Sequence, residues 1–482
     1  MTDLRGALAV SLLLGLAPGC VSLAERPPLS PLAGREVPPE PAPTPREAPI
    51  PSLAAVRIVD HPADRASLRM VEVVMPSAPT TVMFLAFPDR APAKRRPVVP
   101  LALRLAQQQL ARTLPGGADG FWFDWGHVVG LQVVALPSQA VPAFARLKAA
   151  LSPDDALKDY ARRRFSFLQT LVTRNAGSWE AIGRTLTRMG RYGADHPWAQ
   201  GAATQVRALA RVKKRAVKRL WRRLFDPRDA VLVVVGPEEG RVDPARVAQA
   251  FPASAEAGPR PGLGAPPAVP PLRSESGHRF HAVWTRDEQT LLRALHLGPD
   301  LGHPDYPAFW VLSTALDGFA SEANEALRHQ QGASYGVGTS IIPRPGVSEL
   351  SFGGWVAPDA ALDLLRVHDR IVDRVRREGL SAAELAQAKA RVRGMRARTL
   401  DEPEKVARRL LSCASFGVPV TREACLELSR LEAVTAQDVA RVARTHLHPD
   451  KVEWMLIGDL DEAYTRFQFE GTVLRYRFDG PD

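Results

Sequence analysis

Two side chains in the stretch LRHQQGASYGVGTS, from Leu327 to Ser340, have the types and spacing for chemistry: Arg328 and Tyr335. Arg328 falls in the last turn of an amphipathic helix, SEANEALRHQQ. That helix starts at the N-cap Ser321 and stops at Gly332, a residue type that takes the left-handed conformation after a final turn. Tyr335 then opens a strand. A guanidinium at a helix end and a phenol at the start of the next strand can point into one cleft. Together they can donate hydrogen bonds to a carbonyl oxygen, which stabilises an oxyanion without supplying a nucleophile. The same residues also fit a structural part, Arg328 as a helix-end cation and Tyr335 as a half-buried strand aromatic.

The chain around this pair has 482 residues, 45% of them hydrophobic, which suits roughly two to four globular domains. It opens with MTDLRGALAVSLLLGLAPGC, whose apolar run from Ala7 to Ala17 is too short to span a bilayer and reads as a secretory signal peptide. The ending LAPGC resembles a bacterial lipobox, which implies cleavage and acylation at Cys20. Ala17 stands where leucine is commoner, and an ordinary signal with a chance cysteine is the alternative. The expected location is the bacterial cell envelope, with the chain exported and membrane-anchored as a lipoprotein. Loss of residues 1–19 removes Asp3 and Arg5 together, so the formal net charge stays at +11. A basic exported protein meets anionic lipids and polymers, but net charge alone identifies no partner. The export signal and the lack of a recognisable binding module set nucleic acid aside. Cys413 and Cys425 are the remaining cysteines, in a compartment where a disulfide persists; pairing and two free thiols are both open.

Residues 21–54 are proline-rich with almost no aromatic residue and form an extended tether. A first folded region follows, 55–250, with strands expected at Val56–Val59, Arg69–Met75 and Thr81–Phe87 and a leucine-spaced helix from Val98 to Leu114. One long basic helix is expected from Thr204 to Phe225. Arg207, Arg211, Lys214, Lys218 and Arg222 share one of its faces, and Val206, Leu209, Val217, Leu220 and Leu224 the other. That pattern is the ordinary one for a solvated amphipathic helix, and it would also serve as a basic wall toward an acidic partner. Residues 251–277 have the Pro and Gly density of a linker, and 278–482 form a second region. In both regions a helix runs through a proline into a closing strand that ends nine residues later in glycine, Pro227 to Gly236 and Pro449 to Gly458. The repeat argues for an internal duplication. The expected fold class is α+β, with two homologous domains, each a mostly antiparallel sheet covered by helices and forming half of a clamshell. In the second, PRPG marks a hairpin, and Ser381 with Glu384 a capping box.

Here the chain resembles the pitrilysin/insulinase family of metallopeptidases, which includes the mitochondrial processing peptidases. The resemblance rests on HPDYPAFWVLSTALDG, LRHQQGASYGVG, LSAAELAQAKARV and VTAQDVARVARTHLHPDKVEWMLIGD, with HPWAQ and FDPRDAVLVVVG in the first half, and spans roughly 55–460. In that family an LR-x-x-x-G-x-x-Y pattern places an Arg and a Tyr at the substrate's scissile carbonyl, and Arg328 and Tyr335 fall on those positions. Active members carry H-x-x-E-H on the first helix of the first half, where two histidines hold zinc and the glutamate activates water. The corresponding helix here is PLALRLAQQQLAR, without histidine or glutamate. From Glu72 to Glu180 no glutamate intervenes, and His127 is the one histidine. His127, and the pairs His278/His281 and His446/His448, read as non-ligands. The resemblance implies a non-catalytic subunit with no cofactor of its own. It would pair as a heterodimer with a homologue that brings the zinc, and would help bind a peptide through Arg328 and Tyr335. The alternative is a structural or assembly protein of the envelope, derived from a peptidase but without a part in proteolysis.

Overall fold

The computed structural model describes residues 57–61, 68–176, 178–228, 230–252, 269–271, 277–317, 334–421, 425, 428–460 and 467–476. The first half contributes strands β1 (Arg57–His61), β2 (Arg69–Val74), β3 (Thr81–Pro88), β4 (Ala118–Asp124), β5 (Val128–Ala135) and β6 (Val231–Gly236). Its helices are α1 (Val99–Ala111), α2 (Ala140–Ala149), α3 (Tyr160–Ala176), α4 (Trp179–Tyr192), α5 (Ala202–Arg211), α6 (Lys214–Leu224) and α7 (Pro244–Ala250). The second half has β7 (His278–Trp284), β8 (Thr290–Gly298), β9 (Ser334–Arg344), β10 (Val347–Val356), β11 (Glu453–Gly458) and β12 (Gly471–Tyr476). With them come α8 (Tyr306–Leu316), α9 (Ala361–Glu378), α10 (Ala382–Leu400), α11 (Pro403–Ser415) and α12 (Ala436–His446).

The strands form two mixed, mainly antiparallel sheets, ordered β1-β2-β6-β3-β5-β4 and β12-β7-β11-β8-β10-β9. The inner pattern is the same in both. Each closing strand, β6 or β11, lies between a parallel neighbour, β2 or β7, and an antiparallel one, β3 or β8. Central strands such as TVMFLAFP in β3 are buried along their whole length, as expected of a strand packed on both faces. Ser381 and Glu384 make the capping box of α10, and α9 ends at Gly379, whose φ of 76° suits glycine.

One face of each sheet is covered by helices of its own half. On the first sheet, Leu101 and Leu103 of α1 and Trp221 of α6 close over Leu85 and Leu131. On the second, Phe309 of α8 and Leu364 of α9 meet Phe280 and Phe352. The opposite faces are covered by exchange. α11, from the second half, lays Val406, Leu410 and Leu411 on Val71, Phe84 and Val233. α4, from the first half, lays Leu186, with Trp179 and Ile182 beside it, on Val283, Leu291, Met455 and Ile457. Each half is therefore completed by a helix of the other, and the two share one folded body.

The long basic helix expected from Thr204 to Phe225 is instead two helices. Val212 between them is extended (φ −72°, ψ 131°) and buried. Its freed carbonyl accepts from the Tyr160 hydroxyl at 3.0 Å, and Arg164 Nη1 bonds the carbonyl of Ala210 at 3.0 Å. The break thus trades helix hydrogen bonds for side-chain donors that the local spacing could not announce. The structure joins Cys413, on α11, to Cys425 by a disulfide with the Cα atoms 6.2 Å apart.

Candidate functional site in the cleft between the halves

A cleft of about 850 Å³ opens where the halves meet. Its first-half wall comes from Arg96 just before α1, from Trp122 and Asp124 on β4, from His127 after it, from Phe167 on α3, and from Arg184 and Arg188 on α4. The second half supplies Ile342 and Arg344 from β9 with Arg408 and Phe416 from the α11 region. β4 and β9 each stand last in their sheet's order. Aromatic rings and charged groups, arginines above all, share this wall.

The polar groups are held rigidly. Arg96 lies between two carboxylates, its Nε 2.5 Å from Asp89 and its Nη2 on Asp124. Across the cleft, Glu349 on β10 is 2% exposed and serves as a hub. Arg188 grips it in a fork at 3.1 and 2.6 Å, Arg344 Nε stands 3.0 Å away, and the Tyr192 hydroxyl donates to it at 3.1 Å. Burial pushes the Glu349 carboxyl up, but Arg344 and Arg188 outweigh it and hold it below its usual range. The phenol of Tyr192 is shifted upward by burial and by the adjacent Glu349 charge. Arg344 also lies over the Trp198 ring, 5.2 Å from its centre.

The groups along this wall do not suit a zinc ion. α1 turns Pro100 to the cleft, while Arg104 donates to Gln107 and Gln107 to the Gly120 carbonyl, at 2.7 and 2.9 Å. His127 sits with Nδ1 3.3 Å from the Trp125 carbonyl and Nε2 3.2 Å from the Ser415 hydroxyl, edge-on to Phe416. Burial drives its pKa down to about 4, so it rests neutral within the packing of the two halves. Among the described residues, no three His, Cys, Asp or Glu side chains converge closely enough to hold a metal. Tetrahedral zinc needs three protein ligands even in an open site, and the guanidiniums of Arg96, Arg184, Arg188 and Arg344 repel a cation.

Arg328 and Cys20 lie outside the described residues, and so does the side chain of Tyr335, whose backbone opens β9. The Glu349 hub escaped the reading of the sequence, although a glutamate at an inward position of the apolar strand VSELSFGGWV is a usable signal. A second missed feature is a chain of buried histidines in the other core. His278 Nε2 and His368 Nδ1 both bond Asp369, at 2.9 and 2.8 Å, so each donates to the carboxylate. His368 Nε2 then accepts from His296 Nε2 at 2.8 Å, and His278 Nδ1 accepts from the Trp454 indole at 3.2 Å. His281, on the opposite sheet face, bonds Glu453 at 2.8 Å.

Two repeated sheet-and-helix units with exchanged helices about a shared cleft define the class: a tandem α+β protein. Residues 211–392 match the family described as Peptidase M16 inactive domain. No curated protein matches the sequence. The crystal structure of a peptidase M16 inactive domain from Pseudomonas fluorescens is similar, at 16% identity and a TM-score of 0.67, over 83% of this chain and 98% of that one. A chain of complex III2 from Candida albicans is similar at 14% identity and a TM-score of 0.67, over 87% and 100%. The periplasmic protease PqqL from Escherichia coli is similar at 14% and 0.60, over 93% of this chain and 50% of that one. These likenesses show the fold. Beside them, the family match is confined to residues 211–392, and α1 carries no H-x-x-E-H motif.

Proposed function

We propose that the chain is the non-catalytic subunit of an insulinase-type peptidase, pairing with a zinc-bearing homologue and contributing Arg328 and Tyr335 to peptide binding. The observation that carries this reading is an open, peptide-sized cleft, flanked by edge strands, in a molecule whose α1 has no metal ligands. An edge strand can take up an extended peptide through main-chain hydrogen bonds. Zinc and the water-activating base then come from the partner, and the Arg and Tyr donors act on the oxyanion. The same reading places the protein in the cell envelope, exported by residues 1–20, tethered by residues 21–54 and anchored through acylated Cys20.

The test is reconstitution with the zinc-bearing homologue. Tyr335→Phe keeps the ring and deletes the hydroxyl, and should lower turnover roughly a hundred-fold or more, with little change in peptide affinity. An unchanged turnover number assigns the tyrosine to structure. The second reading, an assembly protein without a part in proteolysis, draws on the likeness to a chain of complex III2 from Candida albicans, a multi-chain assembly. It predicts that the purified chain co-purifies with a large envelope assembly whose composition is unaltered by Arg328→Ala or Tyr335→Phe.

A further inference from the structure

α6 carries one of the strongest charge patterns in the molecule, and the proposed peptidase role does not use it. Lys214, Arg215, Lys218, Arg219, Arg222 and Arg223 fill positions i, i+1, i+4, i+5, i+8 and i+9 of an 11-residue helix that contains no acidic residue. At 3.6 residues per turn they cover about half the circumference and about 14 Å of length. The other half of the helix is spent on the core. Val217, Leu220, Trp221 and Leu224 are buried, and the Trp221 indole donates to the Leu151 carbonyl at 2.7 Å.

The stripe is left uncompensated by the fold. Elsewhere Arg188, Arg241 and Arg393 each grip a carboxylate in a fork. Of the six cations on α6, Lys218 alone makes an ion pair among the described residues, with Asp154 at 2.5 Å. Lys214 and Arg222 bear on that same carboxylate, whose pKa is lowered first by the Lys218 hydrogen bond. Lys214, Arg215, Arg219, Arg222 and Arg223 are exposed. Lys214–Lys218, Lys218–Arg222, Arg215–Arg219 and Arg219–Arg223 are like-charged i,i+4 pairs, each of which weakens a free helix. An apposed anionic surface reverses the sign of that effect.

We propose that α6 docks the protein on an anionic phospholipid surface, through charge alone. The apolar side of α6 is locked into the core, so the helix cannot bury it in the bilayer as an interfacial helix does. A stripe of six cations along one helix face matches an extended field of headgroups better than a discrete ligand, and the chain's net charge of +11 adds to the attraction. Binding is therefore peripheral and strongly salt-dependent, since charges are screened over about 8 Å at physiological ionic strength.

The test uses the full chain and vesicles of phosphatidylcholine, alone or mixed with phosphatidylglycerol. An acyl anchor contributes equally to both lipids, so the stripe is read as the extra binding to the anionic vesicles, which should fall as salt rises. Arg215→Gln/Arg219→Gln/Arg223→Gln changes exposed side chains and leaves the core intact. Each cation near an anionic surface is worth about five-fold in partitioning, so the triple variant should lose roughly a hundred-fold of the extra binding. Equal binding to the two lipids, or an unaffected variant, overturns the proposal. So does a chain that ignores anionic vesicles yet is retained on a polyglutamate resin through the same arginines, which assigns the stripe to an acidic protein instead.

Discussion

On the back of the first sheet, α11 rests through alanine, valine and leucine side chains, and the disulfide at Cys413 secures its last turn. On the back of the second sheet, α4 rests on a small apolar cluster about Leu186 and is flanked by charges. Arg188 and Tyr192 reach Glu349, while Glu180 meets Arg293 at 2.9 Å. Glycines let this helix come close. A Cβ at Gly183 would stand 2.4 Å from Met455 Sδ, and one at Gly190 2.4 Å from His281 Nε2. The exchange is thus apolar in one direction and largely electrostatic in the other. Since α4 also walls the cleft with Arg184 and Arg188, the cleft's shape depends on the electrostatic seat.

The largest expected effect comes from removing the hub of that seat. Glu349→Ala leaves Arg188 and Arg344 facing each other without a carboxylate, and loss of one partner from a buried ion network typically costs about 3–5 kcal/mol. Denaturant unfolding of the full chain should show it, and a loss below about 1 kcal/mol would mean that the apolar cluster alone holds α4.

A smaller effect is expected at the close approach. Gly183→Ala forces a methyl against Met455 and should cost about 1–3 kcal/mol by overpacking. Gly394→Ala, in α10 with nothing within 4 Å of its new Cβ, should stabilise by up to about 1 kcal/mol. If both glycines respond alike in thermal unfolding, close seating of α4 is not the reason for Gly183.

The smallest effect at neutral pH is a difference in acid response. Burial lowers the pKa of His296, His368, His446 and His448 in the second half, with His446 at about 4, and of His127 in the first, also to about 4. A histidine held neutral by the fold gains its proton more readily when unfolded. Stability is therefore unaffected above pH 6.5 and falls as the pH drops from there toward about 4. Asp369 acts outside this window. Burial pushes its carboxyl up, yet hydrogen bonds from His278 and His368 hold it at about 2, so its contribution is lost only below the usual carboxylate range. Hydrogen exchange at pH 5 should show the second core losing protection before the first. Equal loss in both would remove the histidine chain as the cause.

The repeat of two units, the closing helix–proline–strand–glycine segments and the lack of ligands on α1 were all readable before any coordinates. The pair Arg328 and Tyr335 was an expectation from the sequence, and neither side chain lies among the described residues. The basic helix was misread as continuous because its periodicity runs through Val212, and the donors from Tyr160 and Arg164 that favour the break lie far back in the chain.

Periodicity, caps and motif spacing are properties of short windows, so the sequence by itself determined most of the elements, the repeat of the two units and the absence of H-x-x-E-H from α1. Tertiary structure alone decided which helix covers which sheet, that Glu349 would be met by Arg188 across a separation of 161 residues, and that His278 and His368 would share one carboxylate with His296 bonded behind them. The physical reason is that an apolar face states how much surface must be buried but not against what. A buried charge, likewise, demands a partner without naming where in the chain it will come from.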